Sequence, residues 1–177
     1  MQDANSGKPT AKKRKQRRDL RAMSHGQLLE LLGDLGQPGF RAKQIEEWLW
    51  EKNVSSFDDM SNLPKSLRAH LSQACSLGGP REVGRQQSSD GSRKYLLRYE
   101  DGVSVECVGM PTRNKLAVCA STQAGCAMSC TFCATGAAGL TRSLTAGEIY
   151  EQVMHARDDF NARVTSVVLM GQGEPFM

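Results

Sequence analysis

The feature that most restricts the fold is a run of cysteines just beyond an apolar strand. Residues 116–120 (Leu-Ala-Val-Cys-Ala) read as that strand, and a loop containing glycine and cysteine follows over residues 121–143. Thr145-Ala-Gly-Glu148 is a capping box opening a helix with Ile149, Tyr150, Val153 and Met154 inward. Residues 164–170 are almost continuously apolar, as expected of a strand buried on both faces, and lead into Gly171-Gln-Gly-Glu-Pro175. Strand, helix and strand in this order form a βαβ unit, which implies parallel strands and a right-handed crossover. The cysteine loop and the Gly-Glu-Pro segment then follow the carboxyl ends of adjacent strands, where parallel α/β architectures bind ligands.

Four of the six cysteines lie between positions 119 and 133. Such clustering points to metal or redox chemistry in a reducing compartment rather than to a disulfide scaffold. Cys126, Cys130 and Cys133 are spaced C-x3-C-x2-C, and three thiolates on one compact loop can ligate three irons of a [4Fe–4S] cube. The fourth iron stays open, as a substrate-binding cluster requires. Radical S-adenosylmethionine enzymes use that open iron to chelate the methionine part of their cofactor, and Phe132 before the last cysteine fits their loop. Two other readings stand beside this one. A tetrahedral zinc site could recruit Cys119 as fourth ligand, and an electron-transfer cluster would have all four ligands supplied. The segment at residues 171–175 discriminates. A carboxylate and closely approaching backbone can receive the ammonium group of S-adenosylmethionine, for which a zinc ribbon has no use.

Upstream the pattern is helical, then extended. Ser24-His-Gly-Gln27 is a capping box for a short helix carrying Leu28, Leu29, Leu31 and Leu32 and stopping at Gly33. Gly36-Gln-Pro-Gly39 is a turn by composition; Phe40, Ile45, Trp48 and Leu49 then recur near helical spacing up to about Lys52. Pro64 stands where a third helix starts, with Leu67 and Leu71 on one face. Trp48 is read as core and Trp50, on another face, as the more open of the two. Residues 78–92, rich in Gly, Arg, Gln and Ser, are read as a loop. Residues 95–99 and 103–108 flank Asp101-Gly102, a strong hairpin signal. On the second of these strands Val103, Val105 and Cys107 share one face, so Glu106 points away from the packed side.

The net charge of +4 is a property of the tail. Residues 1–22 hold eight basic side chains against Asp3 and Asp19, which leaves the rest slightly acidic. Such an arm is read as disordered and solvated, and it adds salt-sensitive attraction to RNA phosphates. No apolar run approaches the ~20 residues that span a bilayer, and the polar N-terminus lacks the apolar region of a secretory signal. A soluble, cytoplasmic protein is expected.

The run from Cys119 through Cys126, Cys130 and Cys133 to Gly136 resembles the RlmN family, the dual-specificity 23S ribosomal and transfer RNA adenine-C2 methyltransferases. So do the stretch 139–148 and Met170-Gly-Gln-Gly-Glu-Pro175. Upstream, the likeness extends through Asp101-Gly-Val-Ser-Val-Glu106, Met60-Ser-Asn-Leu-Pro-Lys65 and Phe40-Arg-Ala-Lys-Gln-Ile45. It covers about residues 20–177. The resemblance implies an α/β fold: a partial, TIM-like β/α radical barrel preceded by a small helical accessory domain and a β-hairpin. The division expected is a basic tail (1–22), a helical RNA-binding domain (23–78), a loop and hairpin (79–114) and the start of the barrel (115–177). It further implies a [4Fe–4S] cluster on Cys126, Cys130 and Cys133, and S-adenosylmethionine contacted by Gly173 and Glu174. Glu106 would be the proton acceptor and Cys119 the thiol that helps resolve a covalent protein–RNA intermediate. Cys75 and Cys107 are read as structural; the family often has a hydroxyl residue in place of Cys107. The partners implied are 23S rRNA, tRNA and an electron donor such as flavodoxin or ferredoxin. In the family, a cysteine far downstream carries the methyl group, so the chain is expected to be a fragment that does not complete the reaction alone. The rival readings are the sister activity at carbon 8 of adenine and a non-catalytic RNA-binding fragment.

Overall fold

Two apolar cores organise the chain, one helical and one built on a sheet. A computed structural model describes residues 17–177; residues 1–16, most of the basic tail, lie outside the described residues. Residues 17–22 depart from the solvated arm expected of them. Arg18–Asp19 (β1) pairs in parallel with Cys75–Ser76 (β2), and Leu20 and Arg21 are buried, because Leu20 joins the helical core and Arg21 forms an ion pair with the distant Glu151.

Helix α1 (His25–Asp34) opens on the expected capping box. The Gln27 N–H donates to Ser24 Oγ (3.3 Å), and the Ser24 N–H donates to Gln27 Oε1 (2.8 Å). Leu28, Leu31 and Leu32 face inward. The helix runs one residue past Gly33, and the chain turns at Gly36, which takes a left-handed φ of +64°. Helix α2 (Phe40–Glu46) continues into a π-helical turn over Glu47–Glu51. Ile45 and Leu49 are buried, whereas Phe40 is 60 % exposed beneath the Arg41 guanidinium, outside the inward stripe assigned to it. Trp48 packs at the edge of the core and donates from Nε1 to Asn62 Oδ1 (2.6 Å). Trp50 is less open than expected: it lies edge-on to Tyr150, ring centres 5.1 Å apart. Helix α3 (Lys65–Ala74) follows Pro64 and buries Leu67 and Leu71. Cys75 closes this first core.

The sheet has the order β3-β4-β5-β6-β9. Its first strand, β3 (Arg81–Gln87), replaces the loop expected there. A polar sequence can serve as an edge strand because backbone bonding to β4 (Arg93–Arg98), not apolar alternation, holds it. Glu82 and Arg85 of β3 also pair with His155 and Asp159. Strands β4 and β5 (Ser104–Thr112) form the anticipated hairpin about Asp101-Gly102. Val105 and Cys107 enter the second core, where burial pushes the Cys107 thiol up to about 12. Strand β6 (Lys115–Cys119) pairs antiparallel with β5 and parallel with β9 (Val164–Val168). Between them lie β7 (Gln123–Gly125), α4 (Ala134–Ala137), β8 (Leu140–Ser143) and α5 (Ala146–Phe160), so the βαβ unit is present.

Two expectations for that unit need correction. Strand β9 is not buried on both faces: among the described residues it pairs with β6 alone, and Val167 is 46 % exposed and Met170 beyond it 81 %. Helix α5 begins on the expected Thr145 capping box, but its most buried side chains include Glu148, Glu151 and Gln152 beside Val153 and Ala156. Ile149 and Met154 pack only at the rim of the second core. The polar face is sustained by distant partners. Arg142 makes a paired contact with Glu148, Gln152 bonds the backbone at Ser121, and Arg21 reaches Glu151 at 3.0 Å. Arg21 Nη2 also donates to the Asn53 side chain and the Val54 carbonyl, so one buried guanidinium ties the helical module to α5. Gly147 allows the close approach, since a Cβ there would lie 2.7 Å from the Cβ of Arg21.

Candidate active site

Three pieces of chain meet beyond the carboxyl ends of β6 and β9. The first is the cysteine loop. Strands β7 and β8 pair at its neck, and the Cys126 N–H donates to the Gly139 carbonyl (3.0 Å). Gly125 is required at this neck: its φ is +80°, and any Cβ would collide with the Gly139 carbonyl. Inside the loop the Cys133 N–H donates to the Cys130 carbonyl (3.0 Å), and Gly136 packs on the backbone of Ser129 and Cys130. The N–H groups of Gly136 and Thr135 hold the Cys133 thiol below its ordinary range. Cys126 is buried, Cys130 and Cys133 are half-buried, and Phe132 between them is 90 % exposed.

Among the described residues, no three His, Cys, Asp or Glu side chains are arranged to hold a metal ion. The structure thus gathers Cys126, Cys130 and Cys133 on one closed loop without converging their sulfurs, and the four-cysteine zinc arrangement is not assembled either. The donor set itself fits an iron–sulfur cluster. Three thiols share a loop, one is already biased toward thiolate, and thiolate is the ligating form.

The second piece is residues 171–174, which lie against the root of that loop. The N–H of Gly171 donates to the Ala120 carbonyl (3.1 Å) and that of Gln172 to Ser121 Oγ (2.9 Å). The Thr122 N–H donates to the Gln172 carbonyl (2.8 Å), and the Glu174 N–H to Gln123 Oε1 (3.1 Å). Both glycines are dictated by this contact. A Cβ on Gly171 would lie 2.6 Å from Ser121 Oγ, and one on Gly173 2.6 Å from Gln123 Cβ.

The third piece is the open face of the sheet. Cys119, last in β6, lies opposite Val108 of β5, and Glu106 follows two residues along on the same face, opposite Leu96. The Glu106 carboxylate is half-exposed and pairs with Lys94 Nζ at 2.9 Å, while its backbone carbonyl accepts from Ser121 Oγ (2.6 Å). Glu106 and Cys119 therefore share the face of the sheet opposite to α5, beside the root of the cysteine loop.

Sequence reasoning missed Lys94, Ser121 and Gln152. The only local signal for Gln152 is its place one helical turn after Glu148, on a face otherwise read as apolar. A cavity of about 740 Å³ lies elsewhere, on the helical module between Arg17, Lys65, Arg68, Ser56, Ser72 and Ser76. Among the described residues no helix is long and apolar enough to cross a membrane.

Residues 18–77 match the family described as the ribosomal RNA large subunit methyltransferase N-terminal domain. Over 158 residues the chain is 44 % identical to a probable dual-specificity RNA methyltransferase RlmN of Microcystis aeruginosa, covering 89 % of this chain and 47 % of that protein. It is 42 % identical over 160 residues to the dual-specificity RNA methyltransferase RlmN of Halorhodospira halophila, covering 90 % and 45 %. Among solved structures it resembles a radical SAM methyltransferase from Sphaerobacter thermophilus, with a TM-score of 0.77 and 40 % identity over 90 % of this chain and 48 % of that one. The chain thus spans a little under half the length of these relatives.

Proposed function

The chain belongs to the RlmN family of radical SAM RNA methyltransferases, and we propose that it carries the cluster-binding part of an enzyme methylating carbon 2 of adenine in 23S ribosomal RNA and transfer RNA. On this reading β6, α5 and β9 begin a β/α barrel, and residues 23–78 form an accessory domain that meets the RNA. The groove bearing Arg17, Lys65 and Arg68 offers that domain phosphate-binding chemistry. The reading also includes a small reducing protein, of the flavodoxin or ferredoxin kind, as electron donor, and the cytoplasm as the compartment.

Cys126, Cys130 and Cys133 would hold a [4Fe–4S] cluster, leaving one iron without a protein ligand. A cluster held by these three thiolates would supply one-electron reducing chemistry for S-adenosylmethionine. Gly173 and Glu174 would offer backbone and a carboxylate to the cofactor's ammonium group. Carbon 2 of adenine is electron-poor, so its substitution needs a base for the departing proton and a thiol to release the product. Glu106 has the chemistry of the first and Cys119 of the second. Lys94 fixes the Glu106 carboxylate on the face that also bears Cys119. The adenine must leave its stack to reach them.

One observation carries the proposal: residues 171–174 lie against the root of the cysteine loop through a set of backbone and side-chain hydrogen bonds to residues 120–123, beside the face that bears Glu106 and Cys119. Anaerobic reconstitution with iron and sulfide tests it. A brown chain absorbing near ~400 nm with about four irons, lost on Cys130→Ala, is expected. Stoichiometric zinc without that absorbance would overturn the cluster. Methylation at carbon 8 by an enzyme containing this chain would overturn the carbon-2 assignment.

A further inference from the structure

We propose that Ser121 is a positioning residue, set by Gln152, that locks the Glu106 strand, the root of the cysteine loop and the Gly171–Glu174 segment into one unit. The proposal deepens the reading of the preceding section and rests on it for the identity of the site.

Ser121 is the first residue after the strand end, and each of its polar groups is engaged. Its hydroxyl donates to the Glu106 carbonyl (2.6 Å) and accepts from the Gln172 N–H (2.9 Å), bridging two chain segments that make no direct pairing with each other. Its N–H donates to Gln152 Oε1 (2.8 Å), and its carbonyl accepts from Gln152 Nε2 (2.9 Å). Gln152 is fully buried and also donates to the Glu148 carbonyl (3.3 Å), so the amide cannot rotate without leaving a buried group unpaired. The Gln152 amide thus offers its acceptor to the N–H and its donor to the carbonyl of one and the same residue. Space is closed as well: Gly171 approaches Ser121 so nearly that a Cβ would meet its Oγ, N and the preceding carbonyl within 2.9 Å. Fixing one serine therefore fixes the distance between the proton acceptor's strand and the segment offered to the cofactor.

Amide hydrogen exchange in the purified chain tests this without any activity. Ser121→Ala should speed exchange at Gln172 about tenfold, and Gln152→Leu should do the same at Ser121, with Val105 and Val118 in the sheet unchanged. Gln152→Glu, as the carboxylate, keeps the acceptor for the Ser121 N–H but turns an oxygen on the Ser121 and Glu148 carbonyls, and should leave exchange at Ser121 fast; full protection in that variant would overturn the assignment. Acceleration spread equally over the sheet amides would mean a merely structural residue and would overturn the assignment, as would unchanged exchange at Gln172. A second readout follows the cluster. Reconstituted Ser121→Ala should keep its iron but lose the change in the reduced cluster's paramagnetic resonance spectrum on adding S-adenosylmethionine, and a retained change would count against positioning. If the unsubstituted chain takes up no iron or shows no such change, the cofactor reading fails, while the exchange data still judge Ser121.

Discussion

At Gly173 the backbone takes a φ of +103°, and the space a side chain would need is filled by Gln123. Gly173→Ala is therefore expected to lower stability by about 1–3 kcal/mol, read as a drop in thermal midpoint. An unchanged midpoint would mean the segment is held more loosely than its contacts imply. Glu106 presents the opposite case. It is half-exposed with a single ion pair, so Glu106→Gln should cost less than about 1 kcal/mol in urea unfolding while removing the proposed proton acceptor. The closed cysteine loop could be read from sequence because the spacing of its cysteines and glycines is a local pattern. Ser121 and Gln152 could not, since the contacts that join them to the site reach partners 15 to 51 positions away.

Among the elements, those governed by short-range rules were legible. Both capping boxes and the Asp-Gly hairpin depend on neighbours a few residues apart, and all three are present. Strand β3 was not legible, because its polar residues are held by backbone pairing with β4 and by charges on α5. The buried polar face of α5 was misread for the same reason. Periodicity reports which residues are apolar, whereas Glu148 and Glu151 are buried because Arg142 and Arg21 compensate them. The Thr145 cap satisfies the first turn of the helix that carries all of this. Thr145→Ala should cost about 1 kcal/mol, measured by urea unfolding, and Thr145→Ser should recover most of it.

At the scale of the molecule, the junction between the two cores has a pH dependence of its own. Burial pushes the Glu151 carboxyl up to about 7, against the pull of Arg21. The folded chain then binds a proton that the unfolded chain, with an ordinary carboxyl near 4.5, releases. Stability from this group is greatest below about pH 4.5 and is withdrawn as pH rises through about 7. Urea midpoints should fall between about pH 5 and pH 8, and Glu151→Gln should flatten that slope. Midpoints that instead rise across the interval in the unsubstituted chain would contradict the assignment.

Glu151 and Gln152 are consecutive, yet they serve different masters: the first grips the helical module through Arg21, the second clamps Ser121. No hinge separates the two grips, since both sit in the middle of one capped helix. The anchor point for the helical module and the one for the serine beside the cysteine loop are thus adjacent links of one rigid rod, and their spacing is set by helix geometry alone.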